Sequence, residues 1–496
     1  SSDVCSSDLR VLIENLRDTA LKPEDEPELK LFEAFDDLDE MASVEFYQHE
    51  SKWSNRMILG DSLQVMASLA ERERLRGKVQ MIYMDPPYGI SFGSNWQVSM
   101  KQRAVKDTLE NAAREVEVVK AFRDTWAGGL SSYLSYLRDR IVLCRDMLTS
   151  SGSMFFQIGD ENPHVVRSIL DEVFGPSNFV AQITFRTTAP LGESYLPGIT
   201  NFIIWYAKDK SQLKYRQLWD GKRSGVGTNY GWVEDSKGNR RRAKDSDFSD
   251  EGEVNPGLRL FYPSPLVSSG FTKSCTFPFE LEGKTIDAQE RSWRTNRDGI
   301  ERLKVANRLS LLGGRRPVYI AYFDDWKMQP INNLWADTRS PVRKTYVVQT
   351  DVTVIERCVL MSSDPGDLVI DPTCGSGTTA FVAEQHGRRW ITVDSSRVAL
   401  ALAKQRLLSA RFPYYYLSDT PEGRAKESSV SGKPVDSSPT SSRIEKGFVY
   451  ERVPHITLVS IAQNPDINEG MSHQEIDARS EEHTSELQSR QYLVCR

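Results

Sequence analysis

The chain has 496 residues and is poor in the side chains that build metal and disulfide sites. Its six cysteines (Cys5, Cys144, Cys275, Cys358, Cys374, Cys495) are scattered, with no CxxC pair. That argues against a disulfide framework and a zinc site, and predicts a reducing, cytoplasmic setting. The six histidines form no HExxH or other metal spacing, so no metal is expected. No apolar run approaches the ~18 residues needed to span a bilayer, and no signal peptide opens the chain, so no membrane partner is expected. A phosphate loop is also missing: "EGKT" at Glu282–Thr285 has Pro278 where the upstream glycine belongs.

What remains is the composition of a soluble globular protein, 39% hydrophobic and 27% charged. The length suggests roughly three domains. The net charge of −6 says nothing directly about partners, because nucleic-acid binding depends on local basic patches.

Two ends differ in texture from the rest. "SSDVCSSDL" (1–9) and "RSEEHTSELQSRQYLVCR" (479–496) resemble translated adapter DNA joined to a gene fragment, and are set aside from fold reasoning. On that reading the natural protein continues past residue 478. Residues 10–54 are acidic and carry leucine and phenylalanine, and read as helices outside the main core. From Asn55, short apolar runs alternate with helical stretches, the rhythm of a parallel α/β sheet. "NRMILGD", "VQMIYMD", "GSMFFQIGD" and "NFIIWYAKD" read as strands, with helices between them in "SLQVMASLAERERLRG", "LSSYLSYLRDRIVLCRDML" and "HVVRSILDEVF". The rhythm stops near Leu213 and resumes after residue 345, through a helix and strand in "VTVIERCVLMSSDPGDLVID", a helix in "GTTAFVAEQHG", a strand in "RRWITVD" and a helix in "SSRVALALAKQRLL".

This divides the α/β unit into residues 55–213 and 346–417, around an insertion at 214–345. The insertion is glycine-rich, aromatic and locally basic. "KGNRRRAK" (Lys237–Lys244) carries five positive charges and no acid. Arg291 to Arg316 holds eight basic residues against Asp298 and Glu301, with tryptophans at 219, 232, 293, 326 and 335 interleaved. Most charge runs are solvated surface. Inside an α/β unit, a module that contacts phosphates is the better reading. Residues 418–446 read as a Ser/Pro/Gly/charged linker, and 447–478 as the start of a truncated C-terminal domain.

Two motifs carry chemistry. "DLVIDPTCGSGTTA" (Asp367–Ala380) is a strand, a glycine turn and a helix start. Gly375 and Gly377 let backbone approach a ligand, and the helix N-terminus at Thr378 offers free N–H groups. The next strand ends at Asp394, 17 residues after Gly377, where a carboxylate can take both ribose hydroxyls. The pair specifies a nucleoside-containing cofactor, and NAD or S-adenosylmethionine would each fit. The other motif is "DPPY", Asp85–Tyr88, at the tip of a strand. A plain turn needs one proline at most, whereas here two residues after a carboxylate are frozen.

Together, "DPPY", "DPxCGSGT" and the acidic strand end resemble the amino-methyltransferases that act on DNA, the DNA methylase N-4/N-6 family. The resemblance is nearest to the permuted (beta-class) members, whose catalytic motif precedes the cofactor motif, as in modification subunits of type III restriction systems. It covers residues 55–213 and 341–417, and the insertion matches in position and character only. It implies a Rossmann-like α/β fold dependent on S-adenosylmethionine, mostly parallel with helices on both faces, with an inserted target-recognition region. The expected reaction is methyl transfer to the N6 amine of adenine in a prokaryotic restriction-modification setting.

The implied catalytic residues are Asp85, Pro86, Pro87 and Tyr88. The Asp85 carboxylate and Pro86 carbonyl would accept the two amine hydrogens, the prolines would hold that carbonyl still, and Tyr88 would stack on a flipped base. Gly60 and Asp61 would approach the cofactor adenine, and Gln349 and Thr350, in "YVVQT", the methionine end. Asp371, Thr373, Gly375, Gly377, Thr378 and Asp394 complete the cofactor set. Thr373 departs from the phenylalanine that many relatives carry. Asn95 and Trp96 on a mobile loop, with Arg240, Arg241, Arg242, Arg294 and Arg297, are the expected DNA contacts. The implied partners are double-stranded DNA, with a restriction (nuclease/helicase) subunit and a homodimer as candidate assemblies.

A close rival is N4-cytosine methylation, although relatives of that type more often have serine where Asp85 stands. Cytosine-C5 chemistry is disfavoured because no Pro-Cys dipeptide occurs, so Cys374 is not expected to be a nucleophile. An inactive DNA-binding specificity subunit and an NAD-dependent oxidoreductase are the remaining alternatives.

Overall fold

The computed structural model describes residues 53–86, 130–160, 162–187, 198–222, 229–249, 252–338, 349–431, 434, 438–450, 455–487 and 493–494. Pro87, Tyr88, Asn95 and Trp96 lie outside these residues, as do 1–52, including the adapter-like start and nearly all of the acidic segment. The chain forms two compact units, one within Ser1–Arg216 and Asn332–Val449, the other within Gln217–Ile331 and Tyr450–Arg496.

The first unit is built on an eight-stranded sheet. Its strands are β1 (Arg56–Leu59), β2 (Val79–Met84), β3 (Leu148–Ile158), β4 (Phe179–Arg186), β5 (Thr200–Ala207), β6 (Leu334–Trp335), β7 (Leu368–Asp371) and β8 (Arg389–Asp394). They are ordered β1-β8-β7-β2-β3-β5-β4-β6. The first five run parallel, β5 is antiparallel to both β3 and β4, and β6 is parallel to β4. The fold is the expected Rossmann-like α/β arrangement. The periodicity did not reveal β4, which pairs along β5 at the antiparallel end.

Five helices connect the strands and a sixth follows the last: α1 (Ser62–Glu71), α2 (Leu130–Met147), α3 (Pro163–Phe174), α4 (Val352–Ser362), α5 (Thr378–Gln385) and, after β8, α6 (Arg397–Ser409). Met66 and Ala70 of α1, Leu137, Ile141 and Cys144 of α2, and Leu170 of α3 bury against Ile82, Met84, Met154, Phe156, Ile370 and Val393. The alternate residues Met81, Tyr83, Phe155 and Val369 are equally buried. Central parallel strands covered on both faces read as continuous apolar runs, which is why β2 was legible as "VQMIYM".

The second unit carries a five-stranded antiparallel sheet in the order 309–312, 316–322, 258–265, 232–235, 240–242. Helix Arg297–Val305 packs over it through Ile300 and Leu303. Residues 450–478 join this unit: Ile456, Leu458, Ile461 and Ile476 share one core with Leu266, Trp293, Leu309 and Tyr319. Asp477 adds charge pairing, 2.6 Å from the Arg308 guanidinium and 2.9 Å from Arg259. The segment expected to open a separate domain thus completes the inserted one, because its apolar side chains find their burial there.

The expected linker also differs from the sequence reading. Pro421–Ser431 is helical, Asp419 accepts from the backbone and hydroxyl of Ser441, and Ile444 is buried. Of the carboxyl-terminal stretch set aside as adapter-like, the described part holds the end of helix His473–Leu487 and strand Leu493–Val494, which pairs with Leu218–Trp219. Among the described residues, no helix is long and apolar enough to cross a membrane, and no cluster of three or more His, Cys, Asp or Glu could hold a metal.

Candidate active site

Open parallel sheets bind ligands beyond the carboxyl ends of their strands. Here each of four adjacent strands delivers an aspartate to that edge: Asp61 after β1, Asp394 ending β8, Asp371 ending β7 and Asp85 after β2. Positions far apart in sequence become neighbours because the register aligns Leu59 with Asp394 and Thr392 with Asp371.

Asp61 caps α1, accepting from Leu63 N at 2.9 Å and Gln64 N at 3.3 Å. Its other oxygen lies 2.5 Å from the Arg140 guanidinium, whose side chain is only 5% exposed. Arg140 also donates to Ser62 Oγ and lies 3.4 Å over the Tyr136 ring. The sequence signal for this support was the polar spacing within "LSSYLSYLRDR", a helix read only for its apolar face.

The glycine turn is stitched to β8. Cys374 N donates to Val393 O, and Gly375 N to Asp394 Oδ2, each at 2.8 Å. Asp394 Oδ1 accepts from Ser396 N at 2.9 Å. Each carboxylate oxygen has two lone pairs, so this seating is compatible with accepting ribose hydroxyls. Gly377 has φ +72°, and a Cβ there would come within 2.6 Å of Ala403 Cβ. Only glycine allows both that left-handed backbone and so close a helix. Arg406 of α6 clamps the turn from behind, donating to Thr378 Oγ1 at 2.8 Å and to Ser376 O at 3.3 Å.

Asp371 is buried, and burial pushes its carboxyl up to about 6, with the Asp394 charge adding and the two hydrogen bonds from Thr373 opposing. The Cys374 thiol is raised by burial and by both neighbouring aspartates, the reverse of what activates a nucleophile.

Thr373 links the two motifs. Its hydroxyl accepts from Asp85 N at 2.8 Å and lies 3.2 Å from Asp371 Oδ1, to which it donates. Phenylalanine could make neither bond. Asp85 is half-buried and Pro86 buried. Asp85 Oδ2 accepts from Gln157 Nε2 at 3.1 Å and Thr350 Oγ1 at 3.3 Å. Gln157, a residue the sequence reading passed over, sits on β3 beside Asp85. Thr350 lies next to Asp85 and Gln157.

Of the arginines expected at DNA, Arg240 and Arg241 are committed within the second unit. Arg240 donates to Glu234 and to the carbonyls of Leu309 and Asn307. Arg241 makes a bidentate pair with Asp247, whose carboxyl it pulls down to about 2. Arg242 lies over Trp232, Arg294 donates to Ser264, and Arg297 lies over Phe277; all three are exposed.

A mostly parallel sheet with a glycine turn and acidic strand ends at its carboxyl edge defines a nucleoside-binding α/β unit. Acidic groups at four adjacent strand ends, of which Asp61 is already paired with Arg140, favour a cationic ligand group over a pyrophosphate.

Comparison with known proteins agrees. Residues 79–405 match the family model described as DNA methylase, of the N6/N4 kind, and the chain belongs to that family. The type II methyltransferase M.EcaI of Enterobacter cloacae is 24% identical, over 68% of this chain and 66% of its own length. The StyLTI Mod subunit of a type III restriction-modification enzyme from Salmonella typhimurium is 24% identical, over 72% of this chain and 55% of its own. The chain thus spans between about half and two thirds of these relatives. Among solved structures, the cytosine-N4-specific PvuII DNA methyltransferase aligns with 73% of this chain and 89% of its own, at 15% identity and a TM-score of 0.34.

Proposed function

We propose that the chain methylates the N6 amine of adenine in double-stranded DNA, taking the methyl group from S-adenosylmethionine, within a restriction-modification system. The observation that carries this reading is the meeting of Asp85 with the cofactor motif through Thr373, 288 residues away in sequence. The four aspartates suit a cofactor with a cationic sulfonium and ammonium and no phosphates. Asp394 takes the ribose hydroxyls, Gly60 and Asp61 border the adenine, and Gln349 and Thr350 hold the methionine end. Gly375, Gly377 and Thr378 shape the floor beside Asp371.

When bound, the cofactor supplies an electrophilic methyl carbon on a sulfur that leaves as a neutral thioether. Asp85 and the Pro86 carbonyl accept the two hydrogens of the target amine, so its lone pair is drawn out of the ring and aimed at that carbon. As the nitrogen–carbon bond forms, the amine loses one proton toward the Asp85 carboxylate. Orientation and fixed electrostatics supply the rate, with no covalent enzyme intermediate. Pro87 holds the strand tip and Tyr88 stacks on the flipped base, at a cost of a few kcal/mol for unstacking. Arg242, Arg294 and Arg297, with Asn95 and Trp96, contact DNA. A restriction subunit and a second copy of the chain are the proposed protein partners.

Transfer of labelled methyl from S-adenosylmethionine to DNA, followed by nucleoside analysis, tests the reading. N6-methyladenine is the expected product, and N4-methylcytosine would reassign the base. Asp85→Ala is expected to lower transfer at least about 10³-fold while cofactor affinity stays within about twofold; unchanged transfer would remove Asp85 from the chemistry.

A further inference from the structure

Asp85 can act only if its carboxylate presents a fixed edge to the amine, and the groups that fix it are not in the "DPPY" motif. Gln157 lies opposite Asp85 on β3, continuing the register in which Tyr83 faces Phe155 and Met84 faces Phe156. It is 2% exposed in a strand that is otherwise apolar over its last residues. Its Nε2 donates to Asp85 Oδ2 at 3.1 Å and to Thr350 Oγ1 at 3.0 Å. Its Oε1 accepts from the hydroxyl of Tyr83, a residue 1% exposed and two positions before Asp85 on the same face of β2.

An amide has a donor end and an acceptor end, and turning it over would set its carbonyl oxygen against the carboxylate. The Asp85 carboxylate, which when ionised can only accept, decides which way it lies: the NH₂ group turns toward Asp85, and the Tyr83 hydroxyl then donates to Oε1. Burying an amide without such pairing is costly, so a polar residue at this point of the core calls for a compensating role. We propose that Gln157 is the positioning residue that aims the Asp85 carboxylate, with Tyr83 satisfying the acceptor end of its amide. The proposal rests on the methyltransferase reading of the site. Gln157 does not itself touch the substrate: it holds one oxygen of Asp85, and that hold fixes the carboxylate plane.

Two substitutions test this in the full chain, with kcat, KM for DNA and cofactor affinity measured from pH 5 to 9. Gln157→Met keeps the volume and removes the donor; kcat is expected to fall about 10–100-fold with cofactor affinity unchanged. Gln157→Glu keeps the shape and makes the donor titratable. While the introduced carboxyl is protonated it can still donate, so activity is expected near wild type at the acid end. Activity is then expected to fall about tenfold per pH unit as that carboxyl ionises against Asp85. A merely structural role would not produce that inverted pH profile. Tyr83→Phe is expected to give a smaller loss, with the pH dependence of the wild type.

Wild-type activity with unchanged kcat in Gln157→Met, or a flat pH response in Gln157→Glu, would overturn the positioning role and leave the methyltransferase reading standing. A wild type that binds S-adenosylmethionine and transfers nothing to DNA would overturn both.

Discussion

Asp371 in the first unit and Asp247, Glu234 and Asp325 in the second are seated in opposite ways. At the strand ends of the first, Asp371 is buried among neutral donors, and its carboxyl rises to about 6. In the second, acids are matched to arginines: Asp247 to Arg241, Glu234 to Arg240, and Asp325 and Asp477 to Arg308, whose side chain is 1% exposed. Those arginine pairs hold the inserted unit together, whereas Asp371 is seated by the backbone and hydroxyl of Thr373, beside an Asp61 that is paired with Arg140. Counting basic residues along a sequence therefore overstates what is available to DNA, since two of the three arginines in "RRR" are already committed.

Arg308→Ala leaves Asp325 buried without its cation and is expected to destabilise the protein by about 3–5 kcal/mol. Chemical denaturation of the full chain would show this, and a loss under about 1 kcal/mol would mean the pair is structurally idle.

A smaller effect, near 1.4 kcal/mol per pH unit, is expected at Asp371. Its folded value lies above the ordinary 3.8, so its contribution to the ligand-free fold is fully present below that value and is lost as pH rises through about 6. Cofactor binding runs the other way, because a cationic ligand prefers the ionised carboxylate. Affinity for S-adenosylmethionine is expected to fall up to about tenfold per unit below pH 6, and Asp371→Asn to flatten that dependence. Titration calorimetry across pH 5–8 checks it, and a wild-type affinity independent of pH would count against Asp371 facing the cofactor.

The smallest effect sharpens the arginine contrast. Arg242→Ala is expected to reduce the salt dependence of DNA affinity by about one phosphate contact. Arg240→Ala is expected to leave that slope alone and to cost stability. Equal slopes for the two variants would erase the distinction between committed and available arginines.

Much of the sheet was legible because buried parallel strands are short apolar runs closed by an acid or a glycine. The motif at Asp371–Thr378 was legible because its turn demands glycine, as Ala403 behind Gly377 makes plain. β4 was missed because "FVAQITFR" is only half-buried and lies at the antiparallel end, outside the alternating helix rhythm. Gln157 was missed because one polar residue within "MFFQI" gives no periodic signal, and its partner is chosen by register between β2 and β3. The fate of residues 450–478 was hidden for a similar reason: the partners that bury Ile456 and Ile461 are more than 100 residues earlier in the chain.

Local sequence pattern carries the chemistry on offer: a carboxylate and rigid prolines after one strand, a glycine turn and an acid after two others. Local conformational preference and short-range pattern suffice for that. Which groups meet is set by the folded sheet: Thr373 bridging Asp85 to Asp371, Gln157 and Thr350 holding Asp85, and arginines absorbed by neighbouring acids. Those contacts depend on strand order and register, which are set by the burial of the whole sheet rather than by any segment within it.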